Sequence, residues 1–257
     1  MNTTMRKIGV LCQKDLIDLF KNPSMMICLV LPIGFAVLYR FMMGDAQASM
    51  SAGTVGDAAA NELSAVLSSF QMSSALCISI GMVVGMVIVY GIAEEKEKHT
   101  LRTLMLANVS AGQIIASRAL VSMVATLAVA AVCFFVIGVD GTSLLPMYLA
   151  LCVLGALPIV LLSLVLGLAA RDQMTAGLYS VPVILIAMAP MFGMYDEAIS
   201  NVVKWLPTGG MNSLVDLMVR GQLFTNDALL PLSVTLVWIV AGVVIFALLF
   251  KRLVRDN

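Results

Sequence analysis

The sequence concentrates its chemically active side chains in one run, Glu94-Glu95-Lys96-Glu97-Lys98-His99. Adjacent glutamates can act as general acid and base, and a glutamate pair of this kind occurs in intramembrane glutamate proteases. Those enzymes also need histidines, whereas His99 is the only histidine of the chain. The pair also stands at the boundary of an apolar run and not inside it. These two features argue against a protease.

Other catalytic and cofactor chemistries also lack their residues. A single histidine excludes two-histidine zinc sites, and the five cysteines form no C-x-x-C pair that could hold a metal. No lysine follows a glycine, so the phosphate-binding loop of ATPases is absent. The 15 basic and 15 acidic residues give a net charge of zero, which provides no electrostatic basis for binding nucleic acid. We therefore predict no catalytic residue, no metal site and no cofactor in this chain.

The charged run continues into a stretch with helical character. Glu94 and Lys98 form a favourable i,i+4 pair, and good helix formers dominate the residues that follow. An apolar stripe at positions i, i+3 and i+4 consists of Leu101, Leu104 and Met105. A solvated loop beside a membrane would explain the charges but not the stripe. A partner with a groove for the stripe would explain both, so we predict a short cytoplasmic helix over 94–107 that docks on another protein.

The elements that position this segment follow from hydropathy. Of the whole chain, 61% is hydrophobic and 12% is charged, unlike soluble domains. A membrane-spanning helix needs about 20 apolar residues, and six runs are long enough. Inside a bilayer such runs satisfy their backbone groups as helices and not as barrel strands. The sequence therefore predicts an all-α membrane protein, a single transmembrane domain over 1–257, with spans at about 24–43, 70–93, 119–138, 147–169, 176–194 and 229–250.

The distribution of basic residues predicts the orientation of the spans. Twelve of the 15 lysines and arginines fall before span one, between spans two and three, after span four or after span six. Lys204 and Arg220 lie on the other side, and Arg40, near the end of span one, can reach the interface. By the positive-inside rule both termini and the 94–118 loop are cytoplasmic in a multi-pass protein of the plasma membrane. Ala46-Gln47-Ala48 is typical of a signal-peptide cleavage site, but the preceding apolar run exceeds the roughly 7–15 residues of a signal core.

Residues 5–22 are too polar to span a membrane but carry apolar side chains at helical spacing. These are Ile8, Leu11, Cys12, Leu16, Leu19 and Phe20. The lysines fall largely on the opposite face, and Pro23 ends the helix. We predict an amphipathic helix that lies in the cytoplasmic interface and contacts membrane lipid. The alternative is a soluble helix packed on the loops of the protein itself.

Glycines and prolines within the spans bear on helix packing. Gly81 and Gly85 form a G-x-x-x-G in span two, which lets another helix approach closely, either within the chain or across a dimer interface. Pro182 and Pro190 each free a carbonyl in span five and bend it. Such bends either gate a pathway or are kinks that the packing tolerates.

Two longer segments are predicted on the outer side. Residues 44–69 are rich in Ala, Ser and Gly, which predicts a mobile connector with a helical end at Leu63–Leu67. Residues 195–228 are too polar and broken to span. The apolar residues that follow Trp205 predict that this second segment dips into the outer interface, with Trp205 as its anchor.

With this architecture, the stretch after span two resembles the signature of ABC-2 type permeases, the membrane subunits of ABC exporters. The positions that match are Glu95-Lys96-Glu97, Thr100-Leu101, Leu104, Val109-Ser110 and Arg118. The chain departs from the family pattern at His99, where glycine is usual, at Arg102, where an acid is common, and at Asn108, where proline is usual.

The resemblance implies an ABC-2 (type V exporter-like) architecture, with six spans after an amino-terminal interfacial helix. It also implies that two ATPase subunits, which bind ATP and Mg²⁺, grip the cytoplasmic helices of two permease copies, expected to be a homodimer. Residues 94–107 then form the coupling helix, with the stripe in the groove and the acids facing the partner. The coupling residues implied are Glu94, Glu95, Glu97, Thr100, Leu101, Leu104 and Met105.

The resemblance further implies that the chain is no enzyme and that 195–228 is an external re-entrant segment. A pathway without acidic residues inside the spans suits an amphipathic or hydrophobic cargo such as a peptide, drug or lipid. The 19 methionines could form an adaptable lining for it or fill gaps in the core. The alternative function is a non-transporting immunity or sensor subunit with the same fold.

Overall fold

The computed structural model describes residues 3–51, 57–100, 106, 109–138, 142–194 and 196–255. Across these ranges the chain is helical and forms no strand. In chain order the helices are α1 (Thr3–Lys21), α2 (Pro23–Ser51), α3 (Asp57–Ser79), α4 (Gly85–Glu97), α5 (Ala111–Ile137), α6 (Leu145–Ala169), α7 (Gln173–Met188), α8 (Glu197–Val203), α9 (Gly209–Val219) and α10 (Leu229–Arg255). A π-helical turn, Ile80–Val84, joins α3 to α4, and 3-10 turns cover Thr142–Leu144, Ala189–Met194 and Asn226–Ala228.

Within the described ranges, six helical segments are long and apolar enough to cross a membrane. They cover Pro23–Gly44, Glu62–Glu97, Ala111–Ile137, Thr142–Ala169, Gln173–Met194 and Asn226–Phe250. This confirms the predicted all-α membrane fold with six spans. We call the end of the bundle at which α1 lies the α1 end, and the other the opposite end.

The second span, from α3 through the π turn to α4, is the central helix of the bundle. It packs against α2, α5, α6 and α7, and it is the most buried span. Its buried hydroxyls donate to its own carbonyls: Ser74 Oγ lies 2.6 Å from Phe70 O, and Ser79 Oγ lies 2.7 Å from Ala75 O. These two serines enter the apolar core with their hydroxyls hydrogen-bonded, because a helix offers an acceptor one turn back.

The segment 44–69 was predicted as a mobile connector, but its described residues, 44–51 and 57–69, are helical. The helix α2 continues to Ser51, and α3 begins at Asp57. The prediction gave weight to Ser and Gly and too little to alanine, which is the best helix former and supplies Ala58, Ala59 and Ala60 to the first turns of α3. A helix that already has a nucleus in a span also extends at small cost.

The segment 195–228 forms two short helices, α8 and α9, at the opposite end. The apolar residues of α9 were predicted to dip into the outer interface. They are buried against the bundle, where α9 packs on α3, α6 and α10, and the position of this segment relative to the interface stays a prediction. The buried side chains are Met211, Leu214, Val215 and Met218. Trp205 is exposed, and its carbonyl oxygen accepts a hydrogen bond of 2.7 Å from Trp238 Nε1.

The amphipathic helix α1 uses two faces. Leu11, Asp15 and Leu19, spaced four residues apart, are buried where α1 packs on α5. Leu16 and Phe20, predicted in the same apolar face, are instead 41% and 61% exposed. The apolar arc of α1 is wider than the contact with α5, so the protein covers one part of it and leaves the other part open.

Arg40, the charged residue within span one, caps another helix. Its Nη1 donates a hydrogen bond of 2.8 Å to Val136 O at the end of α5, where the last carbonyls lack helical partners. The chain then leaves α5 through Gly138, whose φ is +71°. A Cβ on Gly138 would lie 2.0 Å from Arg40 Nη1, so glycine is required both for the backbone conformation and for the close approach.

We expect Gly138→Ala to destabilise the protein more than Gly221→Ala does. Both glycines have a φ of +71°, so alanine adds left-handed strain of about 1–2 kcal/mol at either position. At Gly221 nothing lies within 4 Å of the added Cβ, whereas at Gly138 the methyl group displaces Arg40. Thermal unfolding in detergent of the two variants and of Arg40→Met measures the difference. Equal losses in the two glycine variants would show that the Arg40 cap contributes nothing.

Candidate functional site

The charged run predicted as the start of a separate helix is the end of the second span. The helix α4 passes through Glu94 and Glu95 without interruption and ends at Glu97. The break comes at Lys98–His99, and His99 has a φ of +54°. This is the left-handed region that glycine favours, and it falls at the position where the ABC-2 signature has glycine. The predicted helix over 94–107 is therefore wrong in its start, because the span does not end at the membrane boundary that hydropathy suggests.

Glu95 lies in a buried cluster of charges between α1, α4 and α5. Its Oε1 accepts hydrogen bonds from Lys14 Nζ at 2.7 Å and from Arg118 Nη2 at 2.9 Å. The same Arg118 nitrogen lies 3.4 Å from Asp15 Oδ1. The Asp15 carboxylate also accepts a hydrogen bond of 2.7 Å from Ser117 Oγ. The prediction placed Glu95 on a surface facing a partner, whereas the structure turns it inward.

Burial governs the electrostatics of this cluster. The side chains of Asp15, Glu95 and Arg118 are 2%, 5% and 4% exposed. Burial raises the pKa of the Asp15 carboxyl above its ordinary value, while Arg118 and the hydrogen bond from Ser117 act in the opposite direction. The Arg118 guanidinium lies against Gly91, where a Cβ would be 3.0 Å from Nη1. Each of these buried charges is stabilised by the opposite charges around it, because water cannot reach them to replace a lost partner.

The neighbouring charged residues hold other helix ends. Lys96 Nζ donates hydrogen bonds to the carbonyl oxygens of Leu168 and Ala170 at the end of α6, the second at 3.0 Å. Glu97 Oε2 accepts a hydrogen bond of 2.9 Å from the backbone N–H of Gln173, the first residue of α7. A cation at the carboxyl end of a helix and an anion at the amino end both interact favourably with the helix dipole.

Glu94 contacts the junction between α1 and α2. Its Oε2 accepts a hydrogen bond of 3.1 Å from Asn22 Nδ2, and its Oε1 accepts one of 2.5 Å from Lys98 Nζ. We use the name charged segment for residues 94–98. Each residue from Glu94 to Glu97 thus contacts a different part of the bundle, and together they reach α1, α2, α5, α6 and α7.

The rest of the predicted coupling residues lie beyond the charged segment. Thr100 Oγ1 donates a hydrogen bond of 3.2 Å to Glu95 O. Leu101, Leu104 and Met105, the predicted docking stripe, lie outside the described residues. Leu106 is described, and its side chain is 86% exposed.

The end of the signature explains how α5 begins. Ser110 is the N-cap: its Oγ accepts from Gln113 N at 3.3 Å, and Gln113 Oε1 accepts from Ser110 N at 3.0 Å. This reciprocal capping box fixes the first turn of α5. Arg118 follows two turns later and enters the buried cluster. The serine of the signature therefore fixes the start of α5, and the basic residue fixes α5 to α4 through Glu95.

Gly81 and Gly85 pack against α7 within the same chain. A Cβ on Gly81 would lie 3.2 Å from Ala187 Cβ, and one on Gly85 would lie 3.2 Å from Val183 Cγ1. The sequence left open whether this motif serves packing within the chain or a dimer. The structure uses it within the chain, where the π turn brings span two against span five.

We expect Gly81→Leu to destabilise the isolated subunit by about 1–3 kcal/mol, since the contact with α7 leaves no room for a side chain. The control is Gly34→Leu in α2, where nothing lies within 4 Å of the added Cβ. Thermal unfolding in detergent and the oligomeric state should both be measured. A Gly81→Leu protein of unchanged stability that loses a dimer would instead place the motif between subunits.

The two prolines of span five have different surroundings. Pro182 is exposed within α7, whereas Pro190 is buried at the transition into the 3-10 turn. Pro190 has no N–H for the carbonyl of Ile186, four residues earlier. The buried Thr208 Oγ1 lies 3.3 Å from Ile186 O and 3.1 Å from Ala187 O and supplies the missing donor. The linker between α8 and α9 therefore completes the broken helix.

Sequence analysis missed the partners of the charged segment. Asp15 and Ser117 were not singled out, and the role of Thr208 beside Pro190 was not foreseen. One signal was present: Asp15 stands in the row Leu11, Asp15, Leu19, so it is a carboxylate on an apolar face. A charge in such a position requires a buried partner from elsewhere in the chain.

Residues 42–250 match the family model described as ABC-2 family transporter protein. The match includes the charged segment, Arg118, both prolines of span five and Thr208, and it begins after α1. No curated protein matches the chain.

Proposed function

Because the chain belongs to the ABC-2 family of transporter proteins, we propose that it is the permease subunit of an ATP-driven exporter. In this proposal its spans form the transport pathway and carry no catalytic residue. A separate ATPase subunit, present in two copies, binds ATP and Mg²⁺ and hydrolyses the nucleotide. A second copy of this chain completes the pathway as a homodimer.

The observation that carries this proposal is the connection of the charged segment to five helices. A displacement of the end of α4 is transmitted through Glu95 and Arg118 to α5. It is transmitted through Lys96 to α6 and through Glu97 to α7. The bond between Glu95 and Arg118 is buried, so water does not compete for it and this link is stiff. A partner that moves this one segment therefore moves most of the bundle.

The chain that follows this segment is the part that we assign to the partner. The turn at His99 ends α4, and Leu106 shows an apolar side chain that is 86% exposed. We assign the docking stripe Leu101, Leu104 and Met105 to the ATPase groove, with Glu94 and Glu97 beside it. Glu95 acts inside the bundle, as the link between the docked segment and α5.

Orientation and cargo follow from charge and hydropathy. Most lysines and arginines lie at the α1 end, so we assign this end and both termini to the cytoplasm of a plasma-membrane protein. Within the six described spans, acidic residues occur at the ends and not in the middle. A pathway with such walls suits an amphipathic or hydrophobic cargo, such as a peptide, drug or lipid.

The test is to tag the chain in its own cell, extract it in mild detergent and identify by mass spectrometry what is retained with it. We expect a stoichiometric ATPase with a phosphate-binding loop. A chain extracted alone, or with a partner that is not an ATPase, under conditions that preserve other membrane complexes would contradict the proposal. That result would favour a non-transporting immunity or sensor subunit.

A further inference from the structure

A cavity of about 400 Å³ lies at the opposite end of the bundle. Its walls come from α3, the 3-10 turn Ala189–Met194, α8, α9 and the start of α10. Cavities of this size hold small molecules, and those that do so combine apolar walls with a few polar groups. The charged segment contributes no residue to this cavity, so its chemistry is separate from that of the site described above.

Apolar side chains form part of the wall on three sides. Val66 and Phe70 come from α3, Pro190 comes from the 3-10 turn, and Leu217 comes from α9. Pro190 is buried and the other three are half-buried. Such a wall removes the apolar part of a bound molecule from water.

Opposite charges line the cavity without pairing with each other. Lys204 stands at the end of α8, whereas Asp216 lies on α9 and Asp227 in the 3-10 turn before α10. Among the described residues, Lys204 forms no ion pair with either carboxylate, and its Nζ donates a hydrogen bond of 2.8 Å to the neutral Asn201 Oδ1. Asp216 Oδ2 accepts a hydrogen bond of 3.0 Å from Arg220 Nε. An ammonium has three N–H donors and a carboxylate has two acceptor oxygens, so both kinds of group can take a further partner.

These groups are open to a bound molecule. Asp227 is exposed, the side chain of Asp216 is 40% exposed, and Lys204 is half-buried. Ser213, which also lines the cavity, donates its hydroxyl proton to Gly209 O at 3.2 Å and therefore offers a ligand only its oxygen. The lining thus provides oxygen acceptors for a cation and an ammonium donor for an anion.

We propose that this cavity binds a small zwitterion with an apolar side chain, of the class of the apolar α-amino acids. The ligand ammonium donates to Asp216 and Asp227, and the ligand carboxylate accepts from Lys204. The apolar wall contacts the ligand side chain. A ligand with only one of the two charges leaves either the lysine or the carboxylates without a partner. Binding requires neither an ATPase nor transport, so the proposal goes beyond the proposed function and does not rest on it.

The experiment uses the purified full chain in detergent, without an ATPase. A scintillation proximity assay measures binding of tritiated L-phenylalanine. The competitors are 2-phenylethylamine, which lacks the carboxylate, and 3-phenylpropionate, which lacks the ammonium. Because each of them loses one charged contact, we expect both to bind at least tenfold more weakly than unlabelled phenylalanine.

Variants connect the binding to the cavity. Asp227→Asn and Lys204→Gln should each weaken phenylalanine binding about fivefold, a loss that solvent exposure keeps modest. Lys204→Gln should also reduce the preference for phenylalanine over 2-phenylethylamine, because it removes the cation that faces the carboxylate. Glu197→Gln on α8 removes an exposed acid at the same end but outside the lining. This control should bind as the unaltered protein does.

Three results would overturn the proposal. The first is the absence of phenylalanine binding to a folded chain. The second is competition by 2-phenylethylamine as strong as that by phenylalanine, which would make the cavity a site for amines alone. The third is an equal loss of binding in Asp227→Asn and Glu197→Gln, which would show an effect of overall charge. None of these results bears on the retention of an ATPase, so the proposed function is tested separately.

Discussion

Replacement of Arg118 by methionine should destabilise the protein by about 3–5 kcal/mol, the cost of removing one partner from a buried ion pair. The substitution leaves the buried Asp15 with Ser117 as its hydrogen-bond donor, and it leaves Glu95 with Lys14 alone. Neither carboxylate is open to water, so the lost charge cannot be replaced by hydration. Thermal unfolding in detergent, followed by tryptophan fluorescence, measures the loss.

The matched control is Arg171→Met, which removes the same side chain from an exposed position at the same end of the bundle. It should change stability by less than about 1 kcal/mol. The double variant Asp15→Asn, Arg118→Met should recover part of the loss, because it removes the carboxylate that the single variant leaves without a cation. An Arg118→Met protein as stable as the control would show that the cluster does not join α1, α4 and α5.

Substitution of both Leu101 and Leu104 by aspartate should weaken binding of the ATPase about 100-fold or more. Each leucine that fills an apolar groove contributes about 1.5–3 kcal/mol, and 1.4 kcal/mol corresponds to a factor of ten. A buried carboxylate adds a further penalty. Retention of the ATPase on the tagged permease and ATP-dependent transport should both be lost, while the spans still insert.

Leu63→Asp provides the comparison for this double variant. Leu63 is exposed and lies in α3, at the opposite end of the second span from the charged segment. It should retain both the ATPase and transport. If the double aspartate variant keeps full binding and transport, the docking surface lies elsewhere, and Leu106, which is 86% exposed, becomes the next position to test.

Much of the fold could be predicted because a bilayer imposes one requirement on every span. Each run must satisfy its own backbone groups, so length and hydropathy are sufficient to locate a helix such as α6. Helix ends beyond the bilayer follow a different rule. The start of α3 at Asp57 depends on alanine propensity, and the end of α4 at Glu97 depends on bonds to other helices, neither of which a hydropathy window measures.

The candidate site was predictable only as a segment. The signature located Glu95 and Arg118, which are near each other in sequence, but gave no indication that they form a pair. Asp15 is 103 residues away from Arg118, and such a contact exists only after α1 has packed on α5. Likewise, the sequence predicted a kink at Pro190. It did not predict that Thr208, in the linker between α8 and α9, donates a hydrogen bond to the backbone carbonyls of Ile186 and Ala187. Distant partners of polar groups depend on tertiary packing, and a single sequence does not record it.

The π turn Ile80–Val84 affects how the second span can change in length. Its hydrogen bonds run from i to i+5 in place of i+4, so the turn accommodates one residue more than a regular helix of the same rise. Deletion of one residue within the turn restores a regular helix and keeps Ser79 and Glu95 on their present faces. Deletion of one residue elsewhere in α4 rotates everything beyond it by about 100°. We therefore expect the second span to tolerate a one-residue deletion within this turn better than a one-residue deletion between Gly85 and Glu95.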